Sequence, residues 1–256
     1  MSTKVKSDHV VAQALPLIFV SLTLRPLTTS VGPVLPEIRQ ELALSATQAS
    51  LLTVLPVICF ALGAFMTPRI LTHFSPNKTV AVALALIFVG GNIRLNSHAN
   101  ILLIGTIVCG LGAAIGNILG GIIARRDFSS SVGLVMGLYV GAMSVSSSTA
   151  AMVSFPLSDH FGTWKVSLGV WTNIALIVLI IWMLTQRGHA QDVPLTTRSS
   201  YKYIAKNKMA WWLVLYFGFQ STNFHSLAGW LPSILRDSGI DPTHAGLMTS
   251  LMILIG

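Results

Sequence analysis

Arg25 is the residue in this sequence best placed to do chemistry. It stands in the apolar stretch Val10–Leu35, about three positions past its midpoint. If that stretch lies in hydrocarbon, a guanidinium there costs at least ~2.5–3.5 kcal/mol on insertion scales and calls for a compensating partner. Along a helix, Ser21, Thr28, Thr29 and Gly32 stand at i−4, i+3, i+4 and i+7 from it, a small and polar stripe suited to a bundle interior. Pro26 and Pro33 lack backbone donors and so free carbonyls around the arginine, as in a broken helix lining a cavity. All eight acidic residues (Asp8, Glu37, Glu41, Asp127, Asp159, Asp192, Asp237 and Asp241) fall between apolar stretches or at their ends. Nothing acidic is therefore available inside the stretches to pair with Arg25 or to relay protons. The pattern suits an electropositive anchor for an anionic or strongly dipolar ligand; the alternative is a structural arginine satisfied by carbonyls or a helix end.

A second polar group interrupts the stretch Met209–Ile234: Gln220, Ser221, Thr222, Asn223 and His225. Gln220 and Asn223, three apart, share one helical face, while Ser221 and His225, four apart, share another. Gln220 and Asn223 are candidate substrate contacts, as is Asn117 in an earlier stretch. The competing reading for each is an interhelical hydrogen bond, worth about 0.6 kcal/mol on average in membranes. His225 is the only histidine inside one of the seven complete apolar stretches, so it is the candidate pH-responsive group. Two glycine ladders at i+4 spacing, Gly112/Gly116/Gly120 and Gly133/Gly137/Gly141, predict close helix packing. Cys59 and Cys109 are isolated, with no CxxC pair or His/Cys cluster, so neither a disulfide framework, a metal site nor a cofactor is indicated. No carboxylate pair or nucleophile–base set lies within the stretches, which argues against an enzyme.

The elements that carry these residues follow from composition. Charged residues are only 9% of the chain and mean hydropathy is +0.72, too little charge to cover a water-soluble domain of 256 residues. The reading is an all-α polytopic membrane protein, because backbone in lipid must pair internally and no period-2 alternation suggests a barrel. Seven complete spans are predicted at Val10–Leu35, Gln48–Ile70, Lys78–Asn92, Asn100–Ala124, Val132–Phe155, Trp164–Thr185 and Met209–Ile234, with a partial eighth at Thr243–Gly256.

Of the basic residues outside the spans, eleven fall on the side of the N-terminus: Lys4, Lys6, Arg69, Lys78, Arg125, Arg126, Arg187, Arg198, Lys202, Lys206 and Lys208. Four (Arg39, Arg94, Lys165 and Arg236) fall opposite, which predicts a cytoplasmic N-terminus. The net charge of +8 is thus spread between spans rather than along one face, and nucleic acid is not an expected partner. The polar connection 186–208 divides a six-helix bundle, 1–185, from the start of a second, 209–256. That is the layout of transporters built from two six-helix halves. The last stretch, 14 residues, would reach only ~21 Å and so predicts a chain cut within its second half.

Four segments carry a family resemblance: L-R-P-L-T-T-S-V-G-P-V-L-P-E-I (Leu24–Ile38), G-L-G-A-A-I-G-N-I-L (Gly110–Leu119) with R-R-D-F (Arg125–Phe128), G-L-Y-V-G-A (Gly137–Ala142), and A-G-W-L-P-S-I-L-R-D-S-G (Ala228–Gly239). They resemble the cyanate transporter family of the major facilitator superfamily, which includes bacterial cyanate and 2-nitroimidazole transporters. The resemblance implies a twelve-helix fold in two bundles, this chain being about the first two-thirds. It also implies passage of a small solute across the bacterial inner membrane by alternating access, as a monomer when full length. Carried over by position, it supports Arg25, Asn117 and Gln220 as cavity-lining residues. A truncated, transport-inactive membrane fragment is the alternative expectation. Two departures stand out: the superfamily's Asp and inner Gly are missing from the loop between Gly63 and Lys78, and His225 occupies a place where an aromatic ring is expected.

Overall fold

The computed structural model describes residues 2–186 and 206–255, with side chains from Val10 onward. Every regular element among them is helical. Helix α1 (Ser2–Leu24) ends at Arg25. The first span then continues in pieces: a four-residue helix Pro26–Thr29, a 3-10 turn Gly32–Val34 and a short helix Leu35–Glu41. The prolines that cannot donate to the ladder lie in these pieces, and a break there is what the sequence predicts. Beyond it come α2 (Ala46–Ile70), α3 (Pro76–Ile93), α4 (Ala99–Asp127), α5 (Val132–Phe161), α6 (Trp164–Thr185), α7 (Lys208–Asp237) and α8 (Pro242–Ile255). Local signals set the boundaries. Ser45 and Gln48 form a capping box before α2, and Gly162, at φ 67°, ends α5 in a conformation that disfavours side chains.

Six helical segments are long and apolar enough to cross a membrane: Val10–Glu41, Ala46–Ile70, Pro76–Ile93, Ala99–Asp127, Val132–Phe161 and Trp164–Thr185. The first runs six residues past its predicted end, because Leu35–Glu41 prolongs it. The seventh predicted span is present as α7, 30 residues long, but is not among these six. The polar cluster at its centre lowers its hydropathy. The predicted linker, 186–208, lies almost wholly outside the described residues.

Within the first six spans, α4 is the central packing surface, with α3 and α2 against it; α1 packs on α5 and α6. The first glycine ladder explains the close fit. A Cβ on Gly112 would meet the Ala83 carbonyl at 2.6 Å, one on Gly116 would meet Leu24 Cδ2 at 2.7 Å, and one on Gly120 would enter the Tyr139 ring. The second ladder departs from its prediction. Nothing lies within 4 Å of a Cβ built on Gly133, Gly137 or Gly141 among the described residues, so no described backbone closes on that face.

Polar side chains join the helix ends. At the end bearing the N-terminus, Asn77 accepts from Arg126 Nη2 (2.9 Å), donates to Gln186 (3.1 Å) and accepts Trp182 Nε1–H on its backbone carbonyl (3.0 Å). At the far end, Glu41 accepts from Trp164 Nε1 (2.7 Å) and pairs with Lys165 Nζ (3.4 Å). Arg94 stands in a far-end connection as expected, as the cap of α3, but its side chain is turned inward and the residue is 2% exposed. Its inward course follows from Gly90 and Gly105, which bring the α3 and α4 backbones close beside it. All four basic residues expected at the far end stand there in the chain, but the Arg94 side chain points back into the bundle.

Candidate functional site at the break in the first span

The break is defined by its hydrogen bonds. The Arg25 carbonyl accepts from the Thr28 and Thr29 amides at 2.9 and 3.1 Å and, at 3.3 Å, from the Thr29 hydroxyl. The Ser30 amide returns to Pro26, while the Val31 amide takes a three-residue step to Thr28 at 3.4 Å. Thr29 also donates to the Ser147 carbonyl of α5 (3.1 Å) and is 2% exposed. It therefore ties the break to α5, while Thr28, on the adjacent face, is only half-buried.

Arg25 itself is half-buried, and its guanidinium carbon lies 5.1 Å from the centre of the Phe224 ring of α7. No carboxylate among the described residues pairs with it. A ring face attracts a cation by ~0.5–2 kcal/mol and leaves all five N–H donors geometrically available to a ligand. Two further residues close the back of the site. Tyr139 of α5, 1% exposed, donates to the Gly116 carbonyl at 3.4 Å. Leu24 fills the groove over Gly116, next to Asn117 of α4, which is half-buried.

Helix α7 enters the site by a different face from the one the sequence favoured. Phe224 and His225 turn toward Arg25 and α2, and the His225 ring centre is 5.4 Å from that of Phe224 and 6.3 Å from that of Phe60. His225 Nδ1 is 2.8 Å from the Ser221 carbonyl. A carbonyl can only accept, so Nδ1 carries a proton and Nε2 is the nitrogen left to exchange one. Gln220 and Asn223 are exposed and are not brought against Arg25. Of the predicted site residues, Arg25, Thr28 and Thr29 form the break and His225 packs against the Phe224 ring that faces Arg25, whereas Asn117 is half-buried on α4 and Gln220 and Asn223 are exposed. Sequence reasoning missed Phe224, Tyr139 and Arg94. The first two read as ordinary core aromatics, and Arg94 as a loop cation.

The C-terminal half of α7 is joined to the first span. A Cβ on Gly32 would meet the Ala228 carbonyl at 2.6 Å, and Gly229 lies against Thr53 of α2. Farther out, Arg236 bonds both carboxylate oxygens of Glu37 (2.8 and 3.2 Å) and the Pro33 carbonyl (3.3 Å), with its guanidinium 5.2 Å from the Phe155 ring centre. Along the other half of α7, Trp211–Gln220 are all exposed among the described residues.

Six long apolar helices, the first of them broken, with a seventh packed against the break, match a known architecture. Residues 17–256 fit the model of the Major Facilitator Superfamily. The chain belongs to that superfamily. Among curated superfamily relatives, it is 35% identical to the uncharacterized transporter YycB of Bacillus subtilis over 92% of this chain and 59% of that protein. It is 32% identical to the cyanate transport protein CynX of Escherichia coli (93% and 62%) and 29% identical to the 2-nitroimidazole transporter of the same organism (99% and 65%). The chain thus spans about three-fifths of the length of these relatives. A D-xylose–proton symporter superposes with a TM-score of 0.67 at 15% identity, covering 96% of this chain and 66% of that one. A bacterial homologue of the human drug peptide transporters PepT1 and PepT2 gives 0.62 at 13% identity (94% and 49%). At such identities the likeness is one of fold. Membership of that superfamily fits the all-helical architecture and its six apolar spans.

Proposed function

We propose that this chain carries the anion-recognising part of a secondary transporter that moves a small anionic or polar solute across the bacterial inner membrane by alternating access. The solute is a cyanate-like anion or a nitro-aromatic compound, and the N-terminus is cytoplasmic. The observation carrying this reading is Arg25, a half-buried guanidinium at a helix break, held over a ring and unpaired with any described carboxylate. An intramembrane cation without an acid is expensive unless a negative group visits it. Two relatives are named for cyanate and 2-nitroimidazole transport, solutes with the charge or dipole such a site would take. Thr28 and Asn117 supply neutral hydrogen bonds near the anchor, and Gln220 and Asn223 join the path when α7 moves. His225 gives the site its pH response. Alternating access is the mechanism implied by the resemblance to transporters built from two six-helix halves.

The test is cyanate flux into proteoliposomes for the wild type, Arg25→Ala and Arg25→Lys. Losing a charge-assisted contact of ~1.5–3 kcal/mol should raise the KM of Arg25→Ala by roughly 10- to 100-fold, with Arg25→Lys between. Undiminished flux in Arg25→Ala, with the protein monodisperse in detergent, refutes the anchor.

A further inference from the structure

A second cation lies inside the bundle. Arg94, the residue that caps α3, is 2% exposed, and its Nη1 donates to the Leu27 carbonyl at 2.8 Å. Its Nε has no hydrogen-bond partner, and Nη1 also approaches Cys109 Sγ at 3.7 Å. The side chain is walled in: a Cβ on Gly105 would lie 2.5 Å from the Arg94 amide nitrogen and 2.8 Å from its Cγ. At the end of an apolar helix an arginine would ordinarily extend to the interface and keep its charge in water. This one turns inward and ends on a single backbone carbonyl.

That carbonyl is the one the break exposes. In a continuous helix the Val31 amide would bond Leu27; here it bonds Thr28, and Arg94 takes the vacated acceptor. The four-residue helix Pro26–Thr29 is consequently gripped from two sides, by Ser147 of α5 through Thr29 and by Arg94 of α3 through Leu27. Arg25 is the residue immediately before this clamped piece. A neutral serine, threonine or asparagine could satisfy a lone carbonyl without burying a charge, so carbonyl satisfaction alone does not account for a guanidinium. Its long, rigid fork can reach across from α3 and hold the piece at a fixed height and rotation.

We propose that Arg94 is a positioning residue for Arg25: by holding the Leu27 carbonyl it sets the direction in which the Arg25 guanidinium leaves the broken helix and meets the solute. This rests on the reading of Arg25 as the anion anchor. It extends that reading by naming what aims the anchor.

The experiment is a double-mutant cycle on cyanate transport in proteoliposomes, recording KM and maximal rate for the wild type, Arg94→Met, Arg94→Lys, Arg25→Ala and the double variant. Arg94→Met should raise KM about 10-fold with the maximal rate within about twofold, the pattern of a misaimed binding group. Arg94→Lys, which keeps one donor at similar reach, should recover KM to within about threefold. In the Arg25→Ala background, Arg94→Met should change KM by less than about twofold, because no guanidinium is left to misaim. Equal KM effects in the two backgrounds, or Arg94→Lys as impaired as Arg94→Met, overturn the inference and leave the anchor standing. An unchanged KM in Arg25→Ala removes the anchor and this inference with it. If Arg94→Met does not fold, the cycle is run with Arg94→Gln, which retains a neutral donor, and the same two outcomes decide.

Discussion

Replacing Glu37 by Gln should loosen the outer end of the molecule. The contact it removes is a fork-to-fork pair: Arg236 Nη2 and Nη1 stand 2.8 and 3.2 Å from the two Glu37 oxygens, and the side chains are 21% and 27% exposed. Hydrogen bonds to charged partners contribute ~1.5–3 kcal/mol, and partial exposure puts this one near the lower end, about 2 kcal/mol. Arg236 keeps its Pro33 carbonyl and the Phe155 ring, so the outer end is weakened rather than abolished. In the alternating-access cycle proposed above, at 1.4 kcal/mol per tenfold, about 2 kcal/mol shifts the balance of outer-closed and outer-open forms roughly 30-fold. Thr53 reports the opening, because it is 8% exposed and lies against Gly229 of α7. With Cys59 and Cys109 replaced by alanine, a Thr53→Cys probe in whole cells should react with a membrane-impermeant maleimide on the order of 10-fold faster when Glu37→Gln is present. The exchanged pair Glu37→Arg with Arg236→Glu should slow labelling again. Labelling rates within twofold of each other with and without Glu37→Gln would refute the reasoning.

Two further outcomes follow from packing and protonation. Gly120→Ala, whose new methyl enters the Tyr139 ring, should lower stability by ~1–3 kcal/mol, whereas Gly137→Ala, with open space around it, should be neutral in the same thermal melt; equal melting shifts would contradict the packing described. His225→Phe should flatten the dependence of transport rate on pH between about 5 and 8 while changing KM at a single pH by less than about threefold, because a ring is kept and the titrating Nε2 is lost; superimposable pH profiles would exclude His225 as the responsive group.

Much of the fold was legible because span length is a local property. A bilayer core sets how many consecutive apolar residues a helix needs, and prolines end a ladder wherever they stand. The break at Arg25 and Pro26 could therefore be read directly, as could the first glycine ladder, whose regular spacing became the contact between α4 and its neighbours. The second ladder has the same spacing and no described neighbour, which shows that small residues permit close approach without compelling it. The seventh helix was legible as a helix but not in its rotation. In a segment bearing polar residues on several sides, neighbouring helices decide which face turns inward, and here they chose Phe224 and His225 over Gln220 and Asn223.

By itself, then, the sequence determined a membrane protein of long helices, the interruption of the first of them, and an arginine at that interruption with no acid inside the spans. These follow from transfer free energies and missing amide protons, which each residue carries wherever the chain places it. Tertiary structure decided the rest: that Arg25 lies over Phe224, that Thr29 is spent on α5, that Glu37 meets Arg236, and that Arg94 reaches inward to Leu27. Each joins residues 67 or more positions apart, or turns a side chain one way when its own helix would allow another. Such pairings are set by the close packing of whole helices, which no local stretch encodes.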